Sequence, residues 1–310
     1  MIDETESIPP PGRLVDVGGY SLHLFSKGTG TPTIVIESGL AGGSMVWGLV
    51  QPEIADIAQV VTYDRAGYGW SDAGPLPRSI DQIVTALHTL LVNAGIAGPY
   101  ILVGHSFGGL IMRLFASRYP EEVVGLILVD ALSEYLFTRS PILYRAWSRQ
   151  LGRTFRLLWL IARLGLLRVL VWFGQARRLP EVVTRQPKDQ QALLLASGFL
   201  SGENFATALA ELSLFEPGAD RVREATLPTD IPLVVLSHGR ATMFSSLPSG
   251  QARQAEQIWQ EFQRELSQLS PQGRLIVATR SGHDIHIDQP EPVIEAIRLI
   301  VAQYKEVVLG

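Results

Sequence analysis

Among the 310 residues, Gly104-His105-Ser106-Phe107-Gly108 is the segment whose residue types and spacing best suit covalent chemistry. It fits G-x-S-x-G, a serine carried on a sharp strand-to-helix turn. The bare pattern is weak evidence, and its context strengthens it. An apolar run at 100–103 enters the turn and a helix-period stretch at 107–118 leaves it. Small residues two positions before and after the serine let strand and helix pass closely, and the helix N-terminus turns free N–H groups toward the serine. A serine hydroxyl needs a base to become a useful nucleophile. The six histidines are 23, 88, 105, 238, 283 and 286. His283 lies in Ser281-Gly282-His283, after the apolar run 275–278 and before the last helical stretch. Loops after parallel strands open at one edge of a sheet, where ligands bind, so His283 can meet Ser106 from far along the chain. His238 and His286 are its rivals. The His105 side chain is expected to point away from Ser106, and His23 and His88 read as structural.

These residues require a particular scaffold. Two alternating runs, 13–17 and 20–25, flank Gly18-Gly19 and predict a β-hairpin. Unbroken Val/Ile/Leu-rich runs at 33–36, 60–63, 100–103, 124–129, 233–236 and 275–278 predict parallel strands buried on both faces. Helix-period stretches at 80–93, 107–118, 251–269 and 292–304 alternate with them, the pattern of a doubly wound α/β sheet. From 135 to 227 no strand is predicted. Between 135 and 180 there are nine Arg and no Asp, Glu or Lys, which leaves the rest of the chain strongly acidic for a net charge of −4. The expected organisation is a core of 12–134 and 228–310, a helical insertion at 135–227 and an N-terminal extension at 1–11.

Composition removes several functions. A net charge of −4 gives no whole-molecule footprint for nucleic acid. With no Cys, thiol nucleophiles, Cys-ligated zinc, iron–sulfur clusters and disulfide scaffolds are excluded. No His/Asp/Glu group has the sequence spacing of a metal site, no dinucleotide fingerprint follows a strand, and no cofactor or metal is implied. The apolar stretch 157–173 is shorter than the ~20 residues of a spanning helix and carries Arg163 and Arg168. The opening residues have no signal-peptide pattern, so a cytoplasmic location is the expectation.

Five motifs taken together resemble the α/β-hydrolase family across nearly the whole chain. They are Glu37-Ser38-Gly39-Leu40, Tyr63-Asp64-Arg65-Ala66-Gly67-Tyr68-Gly69-Trp70-Ser71, the Ser106 turn continuing to Gly109, Leu128-Val129-Asp130-Ala131, and Ser281-Gly282-His283 followed by Asp288-Gln289-Pro290-Glu291. The resemblance implies an α/β fold with a mostly parallel central sheet flanked by helices and an inserted helical cap. It implies an oxyanion hole made by the N–H groups of Phe107 and Leu40; Ser38-Gly39 replaces the His-Gly often found there, which backbone donors tolerate. The orienting acid departs from the commoner pattern. Relatives usually carry it after the strand equivalent to 233–236, but here that loop holds no carboxylate before Glu256, inside the next helical stretch. Asp130, ending the strand 124–129, takes the role and preserves the chain order Ser…Asp…His. Asp64 is the lesser candidate and is expected to brace a loop by pairing with Arg65.

The resulting expectation is a serine hydrolase that cleaves carboxylic esters with apolar acyl or alcohol groups through an acyl-enzyme. Ser106 would be nucleophile, His283 base and Asp130 its orienting acid. An aminopeptidase or amidase on the same scaffold, or a non-catalytic binder of small molecules, are the alternatives. The expected partner is a small ester, with peripheral lipid contact through the arginine-rich cap.

Overall fold

A computed structural model of the protein describes residues 8–166 and 179–309. Its strands are β1 (Arg13–Asp16), β2 (Ser21–Lys27), β3 (Thr33–Glu37), β4 (Val60–Tyr63), β5 (Tyr100–His105), β6 (Val123–Val129), β7 (Leu233–His238) and β8 (Arg274–Ala278). They form one sheet in the order β1-β2-β4-β3-β5-β6-β7-β8, antiparallel from β1 to β4 and parallel from there on. The hairpin turn between β1 and β2 places Gly18 and Gly19 at φ 108° and 93°, a region that side-chain-bearing residues avoid.

The apolar runs form strands because both faces of the inner sheet are covered. Helices Ile80–Asn93, Phe107–Arg118 and Ser249–Ser267 bury Val84, Leu87, Leu110, Phe115, Trp259 and Phe262 on one side. The Glu291–Leu309 helix buries Val293, Ile297 and Ile300 on the other, with Trp47 and Ile54. Each fully buried Leu or Ile contributes roughly 1.5–3 kcal/mol relative to exposure. β8 departs from the expectation of burial on both faces: it is the sheet edge, and Val277 is 47% exposed. An apolar run alone does not distinguish a central strand from an edge strand.

Strand order reverses between β3 and β5, because the chain leaves β3 for β4 on one side and returns to β5 on the other. Connections after the two strands therefore diverge, leaving a crevice at their carboxyl ends. Ser38–Leu40 and Ser106 stand at those two ends.

Between β6 and β7 the described residues form only helices, chiefly Pro141–Arg163, Lys188–Ala196, Gly202–Leu212 and Phe215–Arg223. Pro141 opens the long helix where its missing N–H costs nothing. Ser201 caps another, its hydroxyl accepting from the Asn204 N–H. The long helix packs along Gly202–Leu212 and buries Leu143, Tyr144 and Trp147, while Leu157, Leu160 and Leu164 face outward. Leu167, Arg168, Leu170, Arg177 and Arg178 lie outside the described residues. No helix among the described residues is long and apolar enough to cross a membrane.

Candidate active site

Ser106 occupies the N-cap position of the Phe107–Arg118 helix at φ 53° and ψ −117°, with no side-chain cap bond. Its backbone is tied down on both sides: the N–H donates to the Val129 carbonyl at 3.1 Å, and its own carbonyl accepts from Leu132 N–H at 3.0 Å. The turn is tight enough to require its glycines. A Cβ at Gly104 would lie 2.7 Å from the Gly108 carbonyl oxygen, and one at Gly108 would lie 2.6 Å from that of Glu37. Among the described residues the other non-glycine positions with positive φ are Ala41 and Asp130. Strained backbone of this kind concentrates at functional sites, and all three residues follow the carboxyl ends of β3, β5 and β6.

The Ser106 hydroxyl lies 3.0 Å from His283 Nε2, and His283 Nδ1 lies 2.6 Å from Asp130 Oδ2. With the Nδ1–H donated to Asp130, the Nε2 lone pair faces the serine hydroxyl. Asp130 is fully buried, and its other oxygen accepts from Trp259 Nε1 at 3.0 Å and His238 N–H at 3.2 Å. Burial alone would raise its carboxyl, but the hydrogen bonds from His238 and His283 outweigh it and hold the group below the usual carboxylate range. That contribution to stability is present above the ordinary carboxylate value and is lost as pH falls.

The loop after β3 passes over the turn: a Cβ on Gly39 would lie 3.2 Å from Ser106 Cβ. The N–H groups of Leu40 and Phe107 make no hydrogen bond within the described residues. Arg65 holds this loop, donating to the Ser38 carbonyl at 2.8 Å and the Gly39 carbonyl at 2.9 Å. The expected Asp64–Arg65 pair does not form. Arg65 instead pairs with Glu37 at 2.5 Å and Glu211 at 2.7 Å. Asp64 accepts from Ser44 N–H and Trp70 N–H and pairs with His23. Adjacent residues at a strand end point to opposite faces, so neighbours in sequence are poor partners.

Glu211, from the Gly202–Leu212 helix, also binds Arg78 and the Tyr68 hydroxyl, so this buried cluster fastens the helical insertion to the loop over Ser106. Burial would raise Glu211, but Arg65 outweighs it and the carboxyl is lowered. Glu37 has one arginine bond and the Tyr63 hydroxyl, and there burial wins and the carboxyl is raised. Glu211→Ala leaves Arg65 and Arg78 short of their shared partner and is expected to cost about 3–5 kcal/mol in urea unfolding. A loss under about 1 kcal/mol would mean that Glu37 alone satisfies Arg65.

The remaining histidines are placed as follows. His23 and His88 lie against Asp64 and Glu122. His105 is buried behind His283, its Nε2 donating to the His283 carbonyl at 3.2 Å; burial, joined by His283, lowers it to about 4. His286 stacks on Trp47, and burial, joined by His105 and His283, lowers it well below the ordinary histidine value. His238 meets Asp130 rather than Ser106. Its Nδ1 is 2.6 Å from Asp130 Oδ2 and its Nε2 is 2.6 Å from Glu256 Oε1.

Two groups bring ligand-type atoms within 4.8 Å of one another, His105/Asp284/His286 and Asp130/His238/His283. In the second, Asp130 Oδ2 stands at hydrogen-bond distance from both rings, and the three atoms already satisfy each other. In the first, His105 Nε2 is engaged by a carbonyl and lies 3.7 Å from Asp284. Neither is assigned an ion.

Glu256 was missed by sequence reasoning as part of the site. A signal was available: Glu256, Trp259, Gln260 and Gln263 recur at i, i+3, i+4 and i+7 on one helix face. A polar stripe on a core-facing side needs buried partners. Those partners are His238 and the carbonyls of His238 and Ala131, with Asp130 taking the Trp259 N–H.

A family model described as "Alpha/beta hydrolase family" matches residues 34–296. The chain is 28% identical over 282 residues to the uncharacterized protein YqjL of Bacillus subtilis, covering 91% of this chain and 88% of that one. An uncharacterized protein of Schizosaccharomyces pombe is 24% identical over 274 residues, which cover 84% of this chain but only 43% of that longer one. The fold is similar to an esterase from Exiguobacterium antarcticum, with a TM-score of 0.61 at 17% identity, covering 94% of this chain and 99% of the other.

Proposed function

The chain belongs to the α/β-hydrolase family and is a hydrolase, and from that premise we propose that it cleaves carboxylic esters with apolar acyl or alcohol groups through an acyl-serine intermediate. The observation that carries the reading is the continuous path from Ser106 Oγ through His283 to Asp130, at 3.0 Å and 2.6 Å.

In this reading Ser106 Oγ attacks the ester carbonyl carbon as His283 Nε2 takes the hydroxyl proton. The carbonyl oxygen becomes an oxyanion and is received by the Leu40 and Phe107 N–H groups, each worth about 3 kcal/mol of transition-state stabilisation. Asp130 stays ionised and stabilises the imidazolium. As the tetrahedral adduct collapses, the ester C–O bond breaks and His283 returns the proton to the departing alcohol. Water then attacks the acyl-serine, His283 takes its proton, and a second collapse releases the acid and restores Ser106. A carboxylate at position 106 would be the nucleophile expected for epoxide or haloalkane chemistry; a serine supports acyl transfer.

The helices described between β6 and β7 act in this proposal as the cap over the crevice, within the insertion at 135–227. Leu157, Leu160 and Leu164 are exposed among the exposed Arg153, Arg156 and Arg163, a composition suited to peripheral contact with an anionic lipid surface. The same arginines oppose an aminopeptidase, whose substrate ammonium needs acidic groups.

Aryl esters of increasing acyl length test the substrate class. kcat/KM is expected to rise from acetate toward hexanoate, by up to about fourfold for each methylene buried. Absence of saturable hydrolysis across the series would contradict the ester assignment.

A further inference from the structure

β7 ends at His238, a ring with no solvent exposure and a carboxylate oxygen 2.6 Å from each of its nitrogens. A neutral imidazole has one N–H and one lone pair, so one of these contacts would set a lone pair against an acceptor. Asp130 does not relieve this by carrying the proton. Asp130 accepts from His283 Nδ1, Trp259 Nε1, the His238 N–H and the His238 ring, which fills its acceptor sites as an anion. The same Glu256 oxygen that faces His238 also accepts from Gln260 Nε2 at 3.2 Å. With Glu256 as the anion, both ring nitrogens of His238 donate.

We propose that His238 is a buried imidazolium clamped between Asp130 and Glu256, and that this pair positions Asp130 against His283 and sets its charge. The role in turnover rests on the serine-hydrolase reading above; the protonation state does not. Asp130, His238 and Glu256 together carry one net negative charge, the same as a lone orienting aspartate. Without Glu256 the cation would cancel the charge that holds the His283 imidazolium during reaction. Without His238, Asp130 would lose the ring donor that shares its oxygen with His283. The titratable groups around His238 are Asp130, Glu256 and His283, with the buried Tyr144 hydroxyl within electrostatic reach of both carboxylates. Burial opposes a charged ring here, but the hydrogen bonds to Asp130 and Glu256 push His238 up to about 10. Its stabilising effect is therefore full below the ordinary histidine value and is lost as pH rises toward that point.

Two measurements test this. The first uses the wild-type protein labelled with 15N-histidine and no substrate. At pH 8 one histidine is expected to show both ring nitrogens protonated. Its signal should vanish in His238→Asn, or change in Glu256→Gln should the former not fold. A His238 ring with one protonated nitrogen at pH 8 would overturn the proposal, whatever reaction the protein performs. The second is the pH profile of kcat/KM for an aryl ester. His238→Asn keeps a donor toward Asp130 and removes the charge, so the acidic limb is expected to move up by about one pH unit. Glu256→Gln leaves the cation uncompensated, so the limb should move down. kcat should fall about 10- to 100-fold in His238→Asn with KM little changed, the signature of misplacement. Limbs that stay in place, or move together, would reduce the pair to a structural role. Loss of hydrolysis as a measurable activity in the wild type would instead defeat the serine-hydrolase reading and leave the NMR result standing.

Discussion

Ser106→Ala is expected to lower kcat for ester hydrolysis by about 10⁵-fold or more, because the nucleophile and its activated proton are removed together. The residual rate should be that of donors and binding alone. The variant should fold: the lost hydroxyl contacts His283 Nε2, while the backbone bonds to Val129 and Leu132 remain. Alanine accepts the same strained backbone no better and no worse than serine. The measurement is kcat with purified variant and a urea midpoint from the same preparation. Turnover at the wild-type rate would remove Ser106 from the mechanism and with it the acyl-serine.

Asp130→Asn is expected to cost between several hundred-fold and about 10⁴-fold in kcat. Asparagine keeps the shape, but its amide can no longer accept at full charge from His283, so the proton on Nδ1 is not held and the imidazolium is not stabilised. The expected damage also goes beyond a simple triad, since His238 loses its anionic partner in a fully buried position. Removing one member of a buried pair costs about 3–5 kcal/mol, so a lowered melting temperature should accompany the kinetic defect. Asp64→Asn is the comparison. Asp64 braces Ser44, Trp70 and His23, and its loss should appear in stability far more than in turnover. Near-normal kcat in Asp130→Asn would assign the orienting role elsewhere.

The fold was legible where the physics is local. Helices 80–93 and 107–118 were predicted at the bounds the structure gives, because their apolar period is set by neighbouring turns of the same helix. Strand runs were legible for the same reason, but the exposure of β8 depends on having no neighbour, which composition does not record. Ser106, His283 and Asp130 were singled out from motif and chain order, and the structure brings the three within hydrogen-bond reach. What escaped were partners that only tertiary structure brings together. Arg65 looked destined for Asp64 beside it, yet its anions are Glu37 and Glu211. His238 looked like a rival base. It became Asp130's neighbour because β6 and β7 are adjacent, with Val129 paired to Leu236, and Glu256 reaches it only across the helix–sheet interface.

Covalent capture tests the central claim most directly. A fluorophosphonate ester reacts with an activated serine hydroxyl, displacing fluoride and leaving a stable phosphonyl-serine in the oxyanion site. Intact mass followed by peptide mapping is expected to show one adduct per chain, located on Ser106, formed slowly or not at all in His283→Ala and absent in Ser106→Ala. An unlabelled wild-type chain under conditions that label an ordinary serine esterase, or an adduct mapped to any other residue, would contradict the account.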